Sequence, residues 1–216
     1  LPVTHRFKTQ ADLERAIRTL ARKDPRLRSI LAATGMPKLR RRDSGFIGLA
    51  EIIVGQQLST ASANAIWGRL SGAFDPFHHD SIQRATAARL GKLGLSAAKI
   101  KTLKLLANEI KSARLDLDAL GEVDADVAHK TLTALHGVGP WTADVYLLFC
   151  LGHSDAWPAG DLALQDAVRV GLGLASRPTT KEMTALAEVW RPYRGAAAHL
   201  WWAYYRVARR SSASSP

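Results

Sequence analysis

The chain has 216 residues, 47% of them hydrophobic, so it can fill a core and is not an unstructured polymer. Thirty Lys and Arg against nineteen Asp and Glu give +11 and a pI near 10.2, which points to a polyanionic partner, a nucleic acid or an anionic membrane surface, without choosing between them. The single cysteine, Cys150, lies in an apolar run and excludes a disulfide framework, a cysteine zinc site and a four-cysteine iron–sulfur cluster. No apolar stretch approaches the ~18 residues that span a bilayer. The charged opening LPVTHRFKTQADLERAIRTL lacks a signal peptide's apolar core. A soluble protein of cytoplasmic location is therefore expected.

In chain order the apolar residues recur with helical, not strand, spacing. TQADLERAIRTLARK puts Leu13, Ile17 and Leu20 on one face, PRLRSILAATG predicts a short helix closed by Gly35, and residues 36–45 form a basic loop. A long helix is expected from about Ser44 to Leu70, with Gln56 and Gln57 interrupting the core-facing stripe of Leu49 and Ile53. FDPFHHDS reads as a turn and SIQRATAARLGKLG as one helix. LSAAKIKTLKLLANEIKSA starts at a Ser96 cap with Ile100, Leu103, Ala107 and Ile110 inward. A helix from about Asp124 leads into a hairpin, followed by an apolar helix from Pro140 to about Leu151. The loop GHSDAWPAGD comes next, then LALQDAVRVGL and helices near 180–190 and 195–209. The resulting expectation is an all-α, two-lobed helical bundle: one lobe about 44–123, the other about 1–43 with 124–210, and a polar tail at 211–216. No strand-rich segment precedes residue 44.

The segment LHGVGPWTADVYLL carries the first chemical signal. Gly137 and Gly139 permit positive φ and close backbone approach around Val138. Pro140 suits the first helical turn, where a missing N–H costs nothing, and leaves the next N–H groups pointing outward. Such a turn can seat a phosphate without reading a base. An isolated G-x-G is more often a plain turn between antiparallel helices. Twenty residues on, WPAGDLALQDAV places Asp161 immediately before an amphipathic helix. Asp is a favoured N-cap there, and the same amides that make it a cap fix the direction of its carboxylate.

The glycine hairpin followed by a Gly/Pro loop ending in Asp resembles the pattern of the helix-hairpin-helix GPD superfamily of DNA glycosylases. Together with GFIGLAEIIVGQQLSTASANAIWGRL, GLSAAKIKTLKLLANEI and WRPYRGAAAHLWWAYY, it is similar to the 3-methyladenine DNA glycosylase II branch over roughly residues 44–205. The resemblance implies a helix-hairpin-helix fold and hydrolysis of the N-glycosidic bond of alkylated purines in base excision repair, with double-stranded DNA containing damaged bases and no membrane as partner, the protein acting as a monomer and, in a bacterium, at the nucleoid. It implies that Asp161 is the catalytic carboxylate, with Asp166 as second choice. In the strand-cleaving branch a lysine near the start of the hairpin's second helix forms a Schiff base. Trp141 stands in the corresponding stretch, which implies a monofunctional enzyme. Trp141, Tyr146, Trp157 and Tyr193 are the expected aromatic lining of a base pocket, where electron-rich rings would attract a cationic base; packing is the alternative for Trp141. Gly137, Gly139 and Thr142 are expected DNA contacts. Gln56 and Gln57 are candidates for filling the space of a flipped nucleotide, or else a glutamine pair bonded to nearby backbone. No cofactor is required and no iron–sulfur cluster is expected. Relatives imply a structural Na+ or K+ on the carbonyls of Thr133, Leu135 and Val138, with His136 in place of a common proline. The rival functions are a non-catalytic DNA-binding protein and a bifunctional oxidised-base glycosylase/lyase.

Overall fold

The computed structural model describes residues 6–213, with side chains to 210, as helices and connecting turns; no strand occurs among them. In chain order the helices are α1 (Gln10–Lys23), α2 (Pro25–Thr34), α3 (Gly45–Gly55), α4 (Thr60–Gly72), α5 (His79–Arg84) and α6 (Ala87–Lys92). They continue as α7 (Ala97–Lys111), α8 (Ala125–Thr133), α9 (Pro140–Val145), α10 (Leu162–Gly171), α11 (Thr180–Ala187) and α12 (Arg194–Ala213). No helix is long and apolar enough to cross a membrane among the described residues. The chain divides into two units, one running to Arg41 and resuming at Gly152, the other Arg42–Leu151.

In the first unit the starts are set by side-chain caps. Thr9 and Asp12 form a capping box on α1, Asp24 accepts the Arg26 amide at the start of α2, and Thr179 and Glu182 form a second box on α11. Leu13, Ile17, Leu20 and Leu27 are buried, as the 3.6-residue spacing predicts, beside the fully buried Trp190 and Trp201. The Trp190 indole donates to Asp24 Oδ2 at 2.8 Å, so one carboxylate caps α2 and anchors the segment after α11. Burial pushes that carboxyl up, but hydrogen bonds from Arg26 and Trp190 and the Arg26 charge outweigh it and bring it to about 2. The last helix continues through Ser211–Ala213, inside the stretch expected as a tail; the rest of that tail, 214–216, lies outside the described residues.

In the second unit α3 packs against α4, α7 and α9, and its Leu49, Ile53 and Val54 are fully buried. Three expectations are corrected here. The long helix 44–70 is two helices: α3 ends at Gly55, Gln57 takes φ 58, and Ser59 caps α4 by accepting the Ser62 amide. The glutamines therefore sit in a turn, not in a helical seam. The stretch 81–94 holds parts of two helices, because Thr86 accepts the Arg89 amide and starts α6 anew, while α5 begins at His79 inside the expected turn. Finally, the hairpin belongs with residues 42–123 and the boundary falls after Leu151. The reason is packing: beyond α9 the chain makes a π-helical turn, Tyr146–Leu151, buried throughout and in contact with α3. The Tyr146 hydroxyl accepts the Gly45 amide at 3.1 Å and the Phe149 carbonyl accepts the Arg42 amide at 2.9 Å.

Candidate active site

The hairpin between α8 and α9 is built from residues with distinct local reasons. Val138 is buried and its amide donates to the Leu135 carbonyl at 3.1 Å, which tightens the turn. Gly137 has φ 76, and a Cβ added there would lie 2.0 Å from Thr102 Oγ1 on α7. Both the backbone conformation and the neighbour demand glycine. Gly139 differs: its φ is −84, a value open to any residue, and nothing lies within 4 Å of where a Cβ would point. The fold itself does not require glycine at 139. Both glycines are exposed, and neither amide is hydrogen-bonded among the described residues.

Gln56 and Gln57 part company. Gln56 donates from Nε2 to the Gly137 carbonyl at 3.2 Å and to Thr142 Oγ1 at 2.9 Å, binding the α3–α4 turn to the hairpin. Gln57 is exposed and left-handed, a conformation that costs a non-glycine residue roughly 1–2 kcal/mol. Thr142, expected to meet DNA through its hydroxyl or its amide, is buried, and its hydroxyl oxygen accepts from Gln56. Trp141 is 39% exposed and lines a cavity of about 210 Å³ with Arg42, Glu51, Asn64 and Trp67; Arg42 and Glu51 are ion-paired at 3.2 Å. Tyr146 is fully buried with its hydroxyl on the Gly45 amide, so its expected place in a pocket is corrected to a place in the core.

The carbonyls of Thr133 and Val138 accept no hydrogen bond among the described residues, and Leu135 accepts one, from Val138. Neutral oxygens without a carboxylate fit a weakly held monovalent cation. Among the described residues His78, His79 and Asp80 also bring ligand atoms within 4.8 Å of one another, but they are remote in sequence from the hairpin, and Lys111 Nζ stands 3.7 Å from Asp80 Oδ1.

In the other unit, the loop before α10 folds on itself: the Ala159 amide donates to the Trp157 carbonyl at 2.8 Å and the Asp161 amide to the Pro158 carbonyl at 2.9 Å. Gln165, one turn into α10, reaches back to the Ala159 carbonyl at 2.8 Å. Asp161 caps α10 by accepting the Leu164 amide at Oδ1, 2.9 Å, and the same oxygen accepts the Trp202 indole N–H at 3.0 Å. Two donors on one oxygen fix both the direction and the plane of the carboxylate. Asp166 is paired through both oxygens with Arg177, at 2.9 and 3.1 Å, and so has a structural partner. Trp157 is 5% exposed, donates to the Met183 carbonyl at 3.0 Å and packs edge-on against Trp190, which corrects its pocket assignment to a core one. Tyr193 is half-buried, its amide bonded to the Trp190 carbonyl at 2.7 Å. Trp202, the second donor to Asp161, is not among the candidates named from the sequence. The signal was the pair Trp201–Trp202, because adjacent helical positions point about 100° apart and cannot both face the core: Trp201 is fully buried, Trp202 half-buried.

Residues 50–192, which contain the α3–α4 turn, the hairpin, Asp161 and its loop, match the family described as HhH-GPD superfamily base excision DNA repair protein. The chain belongs to this superfamily. Within the HhH-GPD superfamily it is 33% identical over 202 residues to a probable bifunctional transcriptional activator/DNA repair enzyme AlkA of Mycobacterium tuberculosis, covering 88% of this chain and 40% of that protein. The chain thus spans about two fifths of the length of that relative. Among solved structures it is similar to a DNA-3-methyladenine glycosidase from Bacillus halodurans, with TM-score 0.82, 26% identity, and 95% and 94% of the two chains covered. It is also similar to the Schizosaccharomyces pombe 3-methyladenine DNA glycosylase Mag1 in complex with abasic DNA, with TM-score 0.75, 26% identity, and coverage of 87% and 95%. The span matched to the HhH-GPD superfamily thus includes both the glycine turn of residues 137–139 and Asp161.

Proposed function

We propose that this chain is a monofunctional DNA glycosylase that, as a monomer on double-stranded DNA, extrudes alkylated purines of the 3-methyladenine and 7-methylguanine class and hydrolyses the N-glycosidic bond. The observation that carries the reading is the Asp161 carboxylate, fixed at one oxygen by the Leu164 amide and the Trp202 indole. As the bond from C1′ to the base nitrogen breaks, its electron pair leaves with the base and positive charge develops on the sugar. A fixed anion stabilises that charge without reorganising. Water then adds to C1′ and gives up a proton, leaving an abasic site. A cationic alkylated base departs as a neutral molecule, so the reaction needs little acid assistance. The half-exposed Trp141 has an electron-rich face of the kind that attracts a cationic base. The first turn of α9, Pro140, Trp141 and Thr142, offers no amine for a Schiff base, which supports release of the base without strand cleavage. The exposed amides of Gly137 and Gly139 would hold the DNA backbone, and a monovalent cation on the Thr133, Leu135 and Val138 carbonyls would add a positive charge facing a phosphate. The names of the two similar solved structures, both 3-methyladenine glycosylases, support the same substrate class.

Asp161→Asn keeps a cap acceptor and removes the charge. Chromatography of free bases released from methylated duplex DNA should show release fall to background while duplex binding persists. Excision at the parent rate by the variant would overturn the reading.

A further inference from the structure

The turn between α3 and α4 is held from α7. Lys99 donates from Nζ to the carbonyls of Val54 and Gln56, at 2.8 Å each. These lie at the C-terminal end of α3, where helix carbonyls lack intrahelical partners and where a cation suits the helix dipole. Gln56 then carries the connection onward, from its side-chain nitrogen to the Gly137 carbonyl and Thr142 Oγ1. Thr102, one turn along α7 from Lys99, occupies the space beside Gly137. One helix therefore supports both the turn and the hairpin, and Gln56 ties the two together. What this leaves projecting is Gln57, exposed at φ 58, followed by Leu58, 38% exposed. Gln57 and Ala113 are the non-glycine residues with positive φ among the described residues. Such a conformation persists where the surroundings over-determine it, and residues of this kind cluster at active sites and ligand clamps.

We propose that Lys99 is a positioning residue that holds the Gln57–Leu58 tip in the pose in which it occupies the duplex space vacated by an extruded nucleotide. The proposal rests on the glycosylase reading. Extrusion leaves an unpaired partner base and an unstacked step. The Gln57 amide carries both donors and an acceptor for the first, and Leu58 is an apolar wedge for the second. A tip displaced by loss of its anchor fills neither, and the penalty falls hardest where the base to be extruded is firmly paired.

The test compares single-turnover release of 7-methylguanine from two duplexes, one with the lesion opposite cytosine and one with it opposite an abasic analogue, so that only the first must break a pair. Lys99→Met and the double variant Gln57→Ala/Leu58→Ala should each slow release from the paired duplex at least tenfold more than from the unpaired one, and Lys99→Arg should restore most of the difference. Lys104→Met is the control: Lys104 makes the same kind of contact, to the Gln83 and Ala85 carbonyls at 2.9 and 2.6 Å, but on the α5–α6 turn. It should alter thermal stability without creating dependence on pairing. If Lys99→Met slows both duplexes equally, or neither, Lys99 is a structural cap and the proposal is overturned. If the unaltered protein releases no base from either duplex, the glycosylase reading fails, and the proposal with it.

Discussion

Replacing Gly137 and Gly139 by alanine, one at a time, should produce opposite kinds of loss. At 137 an alanine must hold φ 76, at roughly 1–2 kcal/mol, and its Cβ would meet Thr102 Oγ1 at 2.0 Å and Cγ2 at 2.9 Å, an overpacking of the kind that costs about 1–3 kcal/mol. The sum, roughly 2–5 kcal/mol, lowers Tm by about 5–15 °C in a chain of this length. Thr102→Ala in the Gly137→Ala background removes the two closest atoms but not the backbone cost, so about half of the loss should return. At 139 neither φ nor a neighbour objects. Alanine there restricts the unfolded chain and leaves Tm unchanged or raised, by up to ~1 kcal/mol in stability. What it adds is a methyl group beside an exposed amide at the start of α9. If a phosphate sits there, duplex affinity should fall by an order of magnitude, or about 1.4 kcal/mol. Circular dichroism melts and fluorescence anisotropy with a labelled duplex at fixed salt measure the two effects separately. Parent-like binding by Gly139→Ala would refute the phosphate seat. An unshifted melt for Gly137→Ala would refute the steric account.

Four further outcomes follow from the geometry. Trp202→Phe keeps a ring but removes the indole donor from Asp161; a hydrogen bond to a charged group contributes about 1.5–3 kcal/mol, so base release should slow roughly 10- to 100-fold with duplex affinity little changed, and an unaltered rate would separate Trp202 from the chemistry. Borohydride added during turnover should trap no covalent adduct with DNA, while Trp141→Ala should weaken processing of a cationic base about tenfold through lost stacking; a trapped adduct would rule out the monofunctional reading. His199 is buried, and that burial, joined by the Arg40 charge and opposed by the hydrogen bond to the Gly195 carbonyl, holds its imidazole down at about 4. The unfolded chain takes up this proton near 6.5 and the folded one near 4, so the contribution is full above 6.5 and is lost as pH falls through that window, on the order of 3 kcal/mol in all. Tm measured from pH 7 to 4 should decline accordingly, and His199→Leu should flatten that part of the curve; identical pH profiles would refute the assignment.

The sequence yielded the parts whose causes are local. Capping residues act within three positions, so Ser96, Asp124 and Asp161 mark helix starts that the structure places at α7, α8 and α10. The break at Gln56–Gln57 was locally marked too, by Ser59 as a cap for Thr60 onward, but the apolar stripe on both sides of it reads as one helix. Other features were not local at all. Gly137 is glycine partly because of Thr102, 35 residues earlier, and Trp202 serves Asp161 from 41 residues away. Nothing in the spacing of either pair announces the contact. The unit boundary was misplaced for a similar reason, since the attachment of residues 146–151 to α3 rests on a hydroxyl reaching the Gly45 amide across the chain.

The aromatic residues show where a stricter reading of the sequence would have gone further. Side-chain type made Trp141 and Tyr146 joint candidates for one pocket, yet five positions on an α-helix carry a side chain about 140° around the axis. On a helix buried against α3, two residues so far apart cannot both face solvent, and the π-helical turn beginning at Tyr146 widens the path without bringing it back to the Trp141 face. The structure gives each the role that the angle leaves it: Trp141 is 39% exposed on the rim and Tyr146 fully buried. The same rule divides Trp201 from Trp202. In each unit, then, the aromatic left accessible is the one whose neighbour, five steps away for Trp141 and one step away for Trp202, is already committed to the core.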